Sequence, residues 1–157
     1  MKKILLIFDG DGAIAFSGQK IHRFIQNILN VMAKKETYEL AIVGSNVFYK
    51  IMEQIGNVPF HYIFSENGSV FHFKKENGYE LQFQNLFLNH ETFSKAHLLI
   101  KKSLEFISEI LSITSGHFVD IRQGYIFISL IGLQATSLQQ EEFSLMDMEH
   151  QYRQQLI

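Results

Sequence analysis

The segment from Ile4 to Gly12 sets an unbroken apolar run directly before two aspartates, Asp9 and Asp11. A short continuous apolar run predicts a strand over Lys3–Phe8 that is buried on both faces, as in a parallel sheet. Carboxylates that follow such a strand lie at the edge where α/β sheets bind ligands, and the interleaved glycines let an anion approach the backbone. A solvated Asp-Gly turn is the plain alternative. The position directly after a buried first strand favours a site.

The pattern after this segment alternates between helical and extended periods. Apolar residues recur at helical spacing over 19–35 and 48–55, the second helix closing at Gly56, and short buried strands are predicted over 40–43 and 62–64. This order is typical of a doubly wound α/β sheet. A period-two hairpin follows, with strands 70–73 and 79–83 around Glu76-Asn77-Gly78. We assign residues 1–84 to the N-terminal part of an α/β core domain.

The last part of the chain has a different order of elements. A long helix over 91–111 precedes two strands, 117–122 and 125–131, and Ser137 with Gln140 resembles a capping box that opens a polar helical tail. A helix followed by antiparallel strands indicates an α+β unit. We assign residues 85–157 to a partial α+β domain.

Composition excludes several classes of function. The 157 residues, 46% apolar, suffice for one sizeable core. A net charge of -2 without a local basic cluster argues against nucleic-acid binding. The absence of cysteine excludes disulfides and thiolate metal sites. The first apolar run is too short to span a bilayer and leads into DGDG instead of a cleavage site, so we expect a cytoplasmic protein without a membrane anchor.

The two aspartates suit phosphoryl transfer. One carboxylate attacks phosphorus, while the other gives and takes the proton of the alcohol oxygen. Mg2+ is the expected cofactor because it prefers hard oxygen ligands and offsets the charge of a phosphate beside two carboxylates.

The motif FDGDG resembles the first motif of the haloacid dehalogenase superfamily. An ordered set of segments is similar to eukaryotic-type phosphomannomutases in particular: KKILLIFDGDG, AIVGSNVFYKIMEQIG, HYIFSENGSVFHF, GHFVDIRQGYIFISLIG and EEFSLMDMEHQYRQQLI. The resemblance implies a Rossmann-like core with an α+β cap. It also implies magnesium-dependent interconversion of mannose 6-phosphate and mannose 1-phosphate for GDP-mannose synthesis, and a homodimer formed through the cap.

The resemblance also assigns roles to residues. Asp9 takes the place of the nucleophile and Asp11 that of the general acid/base, with Mg2+ on the Asp9 carboxylate and the Asp11 backbone carbonyl. Arg122 matches a cap arginine that grips the sugar phosphate, a task suited to a bidentate guanidinium. The second motif falls on Gly44, Ser45 and Asn46, and either Ser45 or Asn46 takes the place of its phosphate-binding serine.

The chain departs from the family pattern at several positions. Ala13 replaces a threonine of the first motif, and arginines of the pattern fall on Gly18, Leu133 and Gln140. The resemblance ends at Ile157, inside the cap, before the lysine of the third motif and the acidic segment that completes the magnesium site. These departures predict weaker phosphosugar binding and an incomplete metal site.

The same departures leave other functions open. A catalytically inactive pseudoenzyme that acts as a dimerisation or interaction protein is one alternative. A magnesium phosphatase that uses Asp9 and Asp11 without the sugar-binding cap is another. Without a strand returning from the missing portion, the first strand is also expected to expose an apolar edge, which is a pairing hazard.

Overall fold

A computed structural model of the chain describes residues 2–85, 90–110 and 115–156. The chain divides into two compact units, residues 1–87 and 88–157, and each is described by itself. The first contains β1 (Ile4–Asp9), α1 (Arg23–Ala33), β2 (Tyr38–Val43), α2 (Phe48–Ile55), β3 (Tyr62–Ser65), β4 (Val70–Lys75) and β5 (Gly78–Gln84). The second contains α3 (His90–Ile110), β6 (Val119–Ile121), β7 (Ile126–Ile128), α4 (Ser137–His150) and α5 (Tyr152–Gln155).

The first unit is a five-stranded sheet in the order β1-β2-β3-β4-β5. Strands β1, β2 and β3 are parallel, and β4 and β5 are added antiparallel as a hairpin. The α/β class is therefore confirmed. The first strand begins and ends one residue later than the predicted 3–8, so Asp9 is its last residue and pairs with Val43 of β2. The prediction that it is buried on both faces is wrong, because its odd-numbered residues are exposed.

Both helices of the first unit pack on the same face of this sheet. Alternate residues of the parallel strands point to that face, because side chains in a strand alternate with a period of two. The resulting buried cluster joins Leu40, Ile42 and Ile63 of the sheet with Leu29 of α1 and Ile51 of α2. The helices thus cover one face of the parallel strands. The carboxyl ends of these strands lie at one edge of the sheet because the strands are parallel.

The opposite face of the sheet carries exposed aliphatic and aromatic side chains. Leu5 is 49% exposed and Ile7 is 62% exposed. Further along the same face, the Phe64 and Phe71 rings stack with centroids 4.6 Å apart. In the part of the chain that the structure describes, no strand pairs with the outer side of β1, so the predicted open edge is present.

The first helix is shorter than the sequence predicts. It begins at Arg23, not Gln19, because His22 is the N-cap and its Nδ1 accepts a hydrogen bond from the Phe24 amide. The preceding Ile21 is held in place by its amide, which donates to the Gln54 carbonyl at 2.9 Å. The segment from Gln19 to His22 is therefore a connection that is tied to α2.

The second unit packs its helices and its short hairpin around Ile107, Leu130, Ile131 and Phe143. The strands of the hairpin have three residues each, fewer than predicted. The predicted end of the long helix at Leu111 lies outside the described residues. None of the described helices is both long and apolar enough to cross a bilayer.

The capping box of α4 differs by one residue from the prediction. Thr136, not Ser137, is the N-cap, and its Oγ1 accepts a hydrogen bond from the Gln139 amide at 3.3 Å. The Gln139 side chain accepts in return from the Thr136 amide at 2.9 Å. The predicted partner, Gln140, instead donates its side-chain amide to the Ala135 carbonyl.

Candidate active site

A cavity of about 280 Å3 opens at the carboxyl ends of β1 and β2. Parallel strands end at the same edge of a sheet, so the residues that follow them meet there. The sequence-predicted residues Asp9, Asp11, Gly44, Ser45 and Asn46 all line this cavity. The first unit therefore brings together both aspartates and the whole predicted second motif.

The carboxylate of Asp11 is held by three hydrogen-bond donors. Gln54 Nε2 donates to Oδ1 at 2.7 Å, and the Gly18 amide donates to the same oxygen at 3.2 Å. Asn46 Nδ2 donates to Oδ2 at 3.1 Å. Because Gln54 is only 7% exposed, its hydrogen bond is shielded from competing water. The orientation of Asp11 is thus fixed from three directions.

The carboxylate of Asp9 is in a different environment. Its residue is exposed at the end of β1, and none of the described residues hydrogen-bonds its oxygens. One carboxylate of the pair is therefore accessible from the cavity, while the other is oriented by the protein. This asymmetry suits a nucleophile beside a positioned acid/base.

The loop between the aspartates and α1 is tightly turned. The amides of Ile14 and Ala15 both donate to the Gly10 carbonyl, at 3.3 and 3.1 Å. A side chain at Gly10 would place its Cβ 3.1 Å from Gln54 Oε1, which is closer than ordinary van der Waals contact. Gly12 has φ = +81°, a conformation that favours glycine. Both glycines of the DGDG motif therefore serve the geometry of the loop.

The second loop of the cavity is held by the segment after β3. The Asn67 amide donates to the Gly44 carbonyl and the Glu66 amide donates to the Asn46 carbonyl, both at 3.0 Å. Glu66 and Asn67 have φ values of +52° and +56°. Asn67 also lines the cavity. The turn at 66–68 thus supports the site as well as leading into the hairpin.

The oxygen donors of the cavity are of the kind that a magnesium ion binds, although they form only part of a coordination shell. Mg2+ in phosphoryl-transfer sites is usually held by one or two carboxylates, and waters and substrate phosphate complete its shell. Asp9 supplies an accessible carboxylate, and the Asp11 backbone carbonyl is the second expected oxygen. Among the described residues there is no cluster of three His, Cys, Asp or Glu side chains. The set is one of hard oxygen donors, as Mg2+ prefers.

A second cavity of about 310 Å3 adjoins the first and shares Asn46 and Gln54 with it. Lys20 and Lys50 line it, together with Glu53. Lys20 lies on the connection before α1 and Lys50 on the first turn of α2, so tertiary contact brings the two lysines to one cavity. The cavity that adjoins the aspartate site is therefore lined by two basic residues and one acidic residue.

Arg122 lies in the second unit, just after β6, and its side chain is engaged there. Its Nε donates to Asp120 Oδ2 at 2.7 Å, and its guanidinium donates to the Tyr125 hydroxyl. The same group lies over the Tyr125 and Phe127 rings, 5.2 and 5.9 Å from their centroids. The side chain is only 11% exposed. Its role in binding substrate stays a prediction.

Sequence reasoning missed two residues of the site, Gln54 and Asn67. Gln54 lies three positions after Ile51 and one before Ile55, on the apolar face of α2. A polar residue on an otherwise apolar helix face is a readable signal, because it must find a buried partner. Asn67 gave no comparable signal, since Asn-Gly is a common turn sequence.

The fold is similar to that of a haloacid dehalogenase-like hydrolase from B. subtilis, which matches with a TM-score of 0.51 and 17% identity over 62% of this chain and 33% of that one. A Plasmodium falciparum IMP-nucleotidase matches with a TM-score of 0.62 and 15% identity, over 99% of this chain and 48% of that one. The C-terminal domain of a Candida albicans trehalose-6-phosphate phosphatase matches with a TM-score of 0.59 and 12% identity, over 98% and 52%. At these identities the likeness concerns the fold alone.

The chain belongs to the eukaryotic phosphomannomutase family. The family's sequence model, "Eukaryotic phosphomannomutase", matches residues 24–157. "Phosphomannomutase 1" of Dictyostelium discoideum is 32% identical over 98% of this chain and 61% of its own length. "Phosphomannomutase 1" of Homo sapiens is 28% identical over 99% of this chain and 60% of its own. The chain thus spans about three-fifths of the length of these relatives.

Proposed function

We propose that the chain is a phosphomannomutase-like phosphoryl-transfer protein that acts on a hexose phosphate. The observation that carries the proposal is the asymmetric pair of aspartates, one accessible and one held, in a cavity at the carboxyl edge of the sheet. The name of the family's relatives supports mannose phosphates as the substrates. Supply of mannose 1-phosphate for GDP-mannose, a cytoplasmic location and a cap-mediated homodimer are part of the same proposal.

In the proposed reaction, a carboxylate oxygen of Asp9 attacks the phosphorus of the sugar phosphate. The phosphorus–oxygen bond to the sugar breaks, and the sugar oxygen takes a proton from Asp11, leaving an aspartyl phosphate on Asp9. The reverse transfer to another hydroxyl of the hexose needs Asp11 to accept that hydroxyl's proton. Hydrogen bonds from Gln54, Asn46 and the Gly18 amide hold the Asp11 carboxylate in one orientation during both phosphoryl-transfer steps.

Mg2+ would be held by the Asp9 carboxylate and the Asp11 backbone carbonyl, and it would offset the negative charge of the phosphate there. Around that position the chain supplies its own anchors for the substrate. Ser45 and Asn46 lie along the cavity and offer hydroxyl and amide donors to phosphate oxygens. Lys20 and Lys50 line the adjoining cavity, and they are the residues proposed to bind a second phosphate of a hexose bisphosphate.

A coupled assay with mannose 1-phosphate, a hexose bisphosphate activator and Mg2+ tests the proposal. We expect turnover that is lost in Asp9→Asn and in Asp11→Asn, with the circular dichroism spectrum retained. Asp147→Asn is a matched control, because Asp147 is a carboxylate of the second unit that pairs with Arg153. Turnover that survives Asp9→Asn would overturn the assignment of the nucleophile.

The second candidate function is that of a catalytically inactive interaction protein. The side chain of Arg122 favours it, because a guanidinium already engaged with Asp120 and Tyr125 is less available to grip phosphate. Absence of turnover in the folded wild-type chain, together with a stable oligomer, would support this alternative. Phosphate release without isomerisation would support a magnesium phosphatase that uses the same two aspartates.

A further inference from the structure

The tripeptide Glu-Asn-Gly occurs twice in the first unit, and its two copies adopt different backbone conformations. In the turn after β3, Glu66, Asn67 and Gly68 have φ values of +52°, +56° and +85°. In the hairpin turn at 76–78, only Gly78 has a positive φ, of +128°. A left-handed backbone is unfavourable for a residue with a Cβ, and more so for Glu than for Asn. Because the two tripeptides are identical, tertiary contacts must impose the left-handed backbone on the first copy.

These contacts join the turn to the second loop of the aspartate cavity. The Glu66 amide donates to the Asn46 carbonyl and the Asn67 amide donates to the Gly44 carbonyl, both at 3.0 Å. Strained backbone persists only where surrounding contacts impose it, and it is concentrated at ligand-binding sites. The strained turn therefore fixes the backbone of Asn67 in the wall of the cavity.

The side-chain amide of Asn67 is not used to hold Asp11. Three residues with carboxamide side chains line the cavity, namely Asn46, Gln54 and Asn67. Asn46 and Gln54 both donate to the carboxylate of Asp11. Within the described parts of the chain, Asn67 makes its hydrogen bonds through its backbone, and the residue is exposed. Its two side-chain N–H donors are therefore accessible to a ligand of the cavity.

A neutral amide suits a phosphate that lies beside two carboxylates. Phosphoryl oxygens are strong hydrogen-bond acceptors, and the amide donates to them without adding negative charge to the cavity. A carboxylate at the same position would repel the phosphate. Because the backbone of Asn67 is already fixed, binding orders only its side chain and loses little conformational entropy.

We infer that Asn67 binds the phosphoryl group of the substrate through its side-chain amide, and that the left-handed turn at 66–68 holds it in place for this contact. The inference rests on the proposed function, because it adds a residue that binds the phosphate attacked by Asp9. The side chain of Asn67 should therefore matter for ligand affinity and not for folding.

Asn67→Gly separates these two roles. Glycine adopts a positive φ without strain, so the variant loses the carboxamide and keeps the turn. Mannose 1-phosphate is titrated into the full chain with Mg2+ and without a bisphosphate activator, and its dissociation constant is measured by calorimetry. We expect Asn67→Gly to raise this constant at least tenfold, while the urea midpoint stays the same or rises.

Asn77→Gly is the matched control. Asn77 occupies the same place in the second copy of the tripeptide, and it does not line the cavity. This variant should change the dissociation constant less than twofold. An equal loss of affinity in the two variants would overturn the inference, and so would a lowered urea midpoint that accompanies the loss in Asn67→Gly.

Nuclear magnetic resonance of the side-chain amides supplies a direct readout. The Asn67 signals, assigned by their loss in Asn67→Gly, should shift during the titration, while those of Asn77 should not. Shifts of the Gly44 and Asn46 backbone amides without a shift of the Asn67 side chain, and with unchanged affinity in Asn67→Gly, would overturn the inference and leave the proposed function standing. A wild-type chain in which no cavity residue responds to mannose 1-phosphate would overturn both.

Discussion

The side chain of Gln54 has the contacts of a positioning residue. Its Nε2 donates to Asp11 at 2.7 Å, while its backbone carbonyl accepts from the Ile21 amide at 2.9 Å. One residue of α2 therefore ties down both the acid/base candidate and the connection before α1. A buried amide suits this place because it donates a hydrogen bond without adding charge beside a carboxylate.

Replacement of this side chain should slow phosphoryl transfer. Gln54→Leu keeps the approximate volume but removes a hydrogen bond to a charged group, worth roughly 1.5–3 kcal/mol. We expect kcat to fall about 10- to 100-fold with a smaller change in KM, because the loss concerns the orientation of Asp11. Steady-state kinetics of the mutase assay measure this split.

Gln26→Leu is the matched control for Gln54→Leu. Gln26 Nε2 also makes a side-chain hydrogen bond in the first unit, to the Ile21 carbonyl at 2.9 Å, but it does not touch Asp11. It should lower stability and leave kcat unchanged. Equal losses of kcat in the two variants would mean that Gln54 acts only through the stability of the fold.

The two aspartates were predictable and their donors were not. Asp9 and Asp11 follow directly from a buried strand, so local sequence determines both their chemistry and their position at the sheet edge. The donors on Asp11 come from positions 7, 35 and 43 residues away. Their convergence depends on how α2 and the second loop pack. The sequence contained the amide groups but not their distance from Asp11.

At the scale of elements, the contact between α2 and β4 contains a histidine. The His72 ring stacks on Phe48 with centroids 3.8 Å apart, and its Nδ1 is buried without a hydrogen-bond partner among the described residues. Burial lowers the pKa of His72 in the folded state. The unfolded chain therefore takes up more protons than the folded chain as the pH falls below about 6.5.

This difference predicts acid destabilisation of the first unit. The free energy of unfolding should be greatest above the unfolded histidine pKa and should decrease as the pH falls from 7 toward 5. His72→Phe keeps the stacking and removes the titration, so its decrease should be shallower. Urea denaturation at several pH values measures the slopes. An unchanged slope in His72→Phe would contradict the interpretation.

His61 should account for part of the decrease that remains. Burial lowers its pKa as well, and its Nδ1 accepts a hydrogen bond from the Leu40 amide at 3.1 Å. An accepting nitrogen must be unprotonated, so protonation of His61 costs this bond. In His72→Phe, the free energy of unfolding is therefore still expected to decrease as the pH falls, but less steeply than in the wild-type chain.

The start of α4 gives a prediction that separates two neighbouring residues. Thr136→Ala removes the N-cap and should lower the stability of the second unit by about 1 kcal/mol. Ser137→Ala is the matched control and should change stability by no more than a few tenths of that amount, because Ser137 is already inside the helix. Urea denaturation and hydrogen exchange of α4 amides compare them. A larger loss of stability in Ser137→Ala than in Thr136→Ala would mean that Ser137 is the N-cap, as the sequence alone indicates.

Element boundaries were the least predictable part of the fold. The periodic residues of α1 and α2 gave the correct helices, since apolar spacing determines which face is buried. The first turn of α1 was extended too far because Gln19 and Lys20 are compatible with a helix locally. Their connection is instead determined by the hydrogen bond from Ile21 to Gln54, which no local pattern contains.

At the scale of the whole molecule, one face of the five-stranded sheet carries both helices and the other is open. The sequence of β1 did not reveal this difference. Its residues are apolar on both faces of the strand, and this pattern predicts a strand that is buried on both faces. Leu5 and Ile7 lie on the face that carries neither helix, and they are 49% and 62% exposed there.

The two units contain separate buried clusters, and this predicts how their stabilities respond to mutation. Ile63 belongs to the first cluster and Ile131 to the second, with 0% and 6% exposure. Ile63→Val and Ile131→Val each remove one buried methyl group, which should cost about 0.5–1.5 kcal/mol. Each loss should reduce hydrogen-exchange protection in its own unit only, within residues 1–87 or 88–157.

The double variant should show both losses additively, because the sites share no neighbours in either cluster. Protection lost across both units in a single variant would show instead that the chain unfolds as one cooperative body.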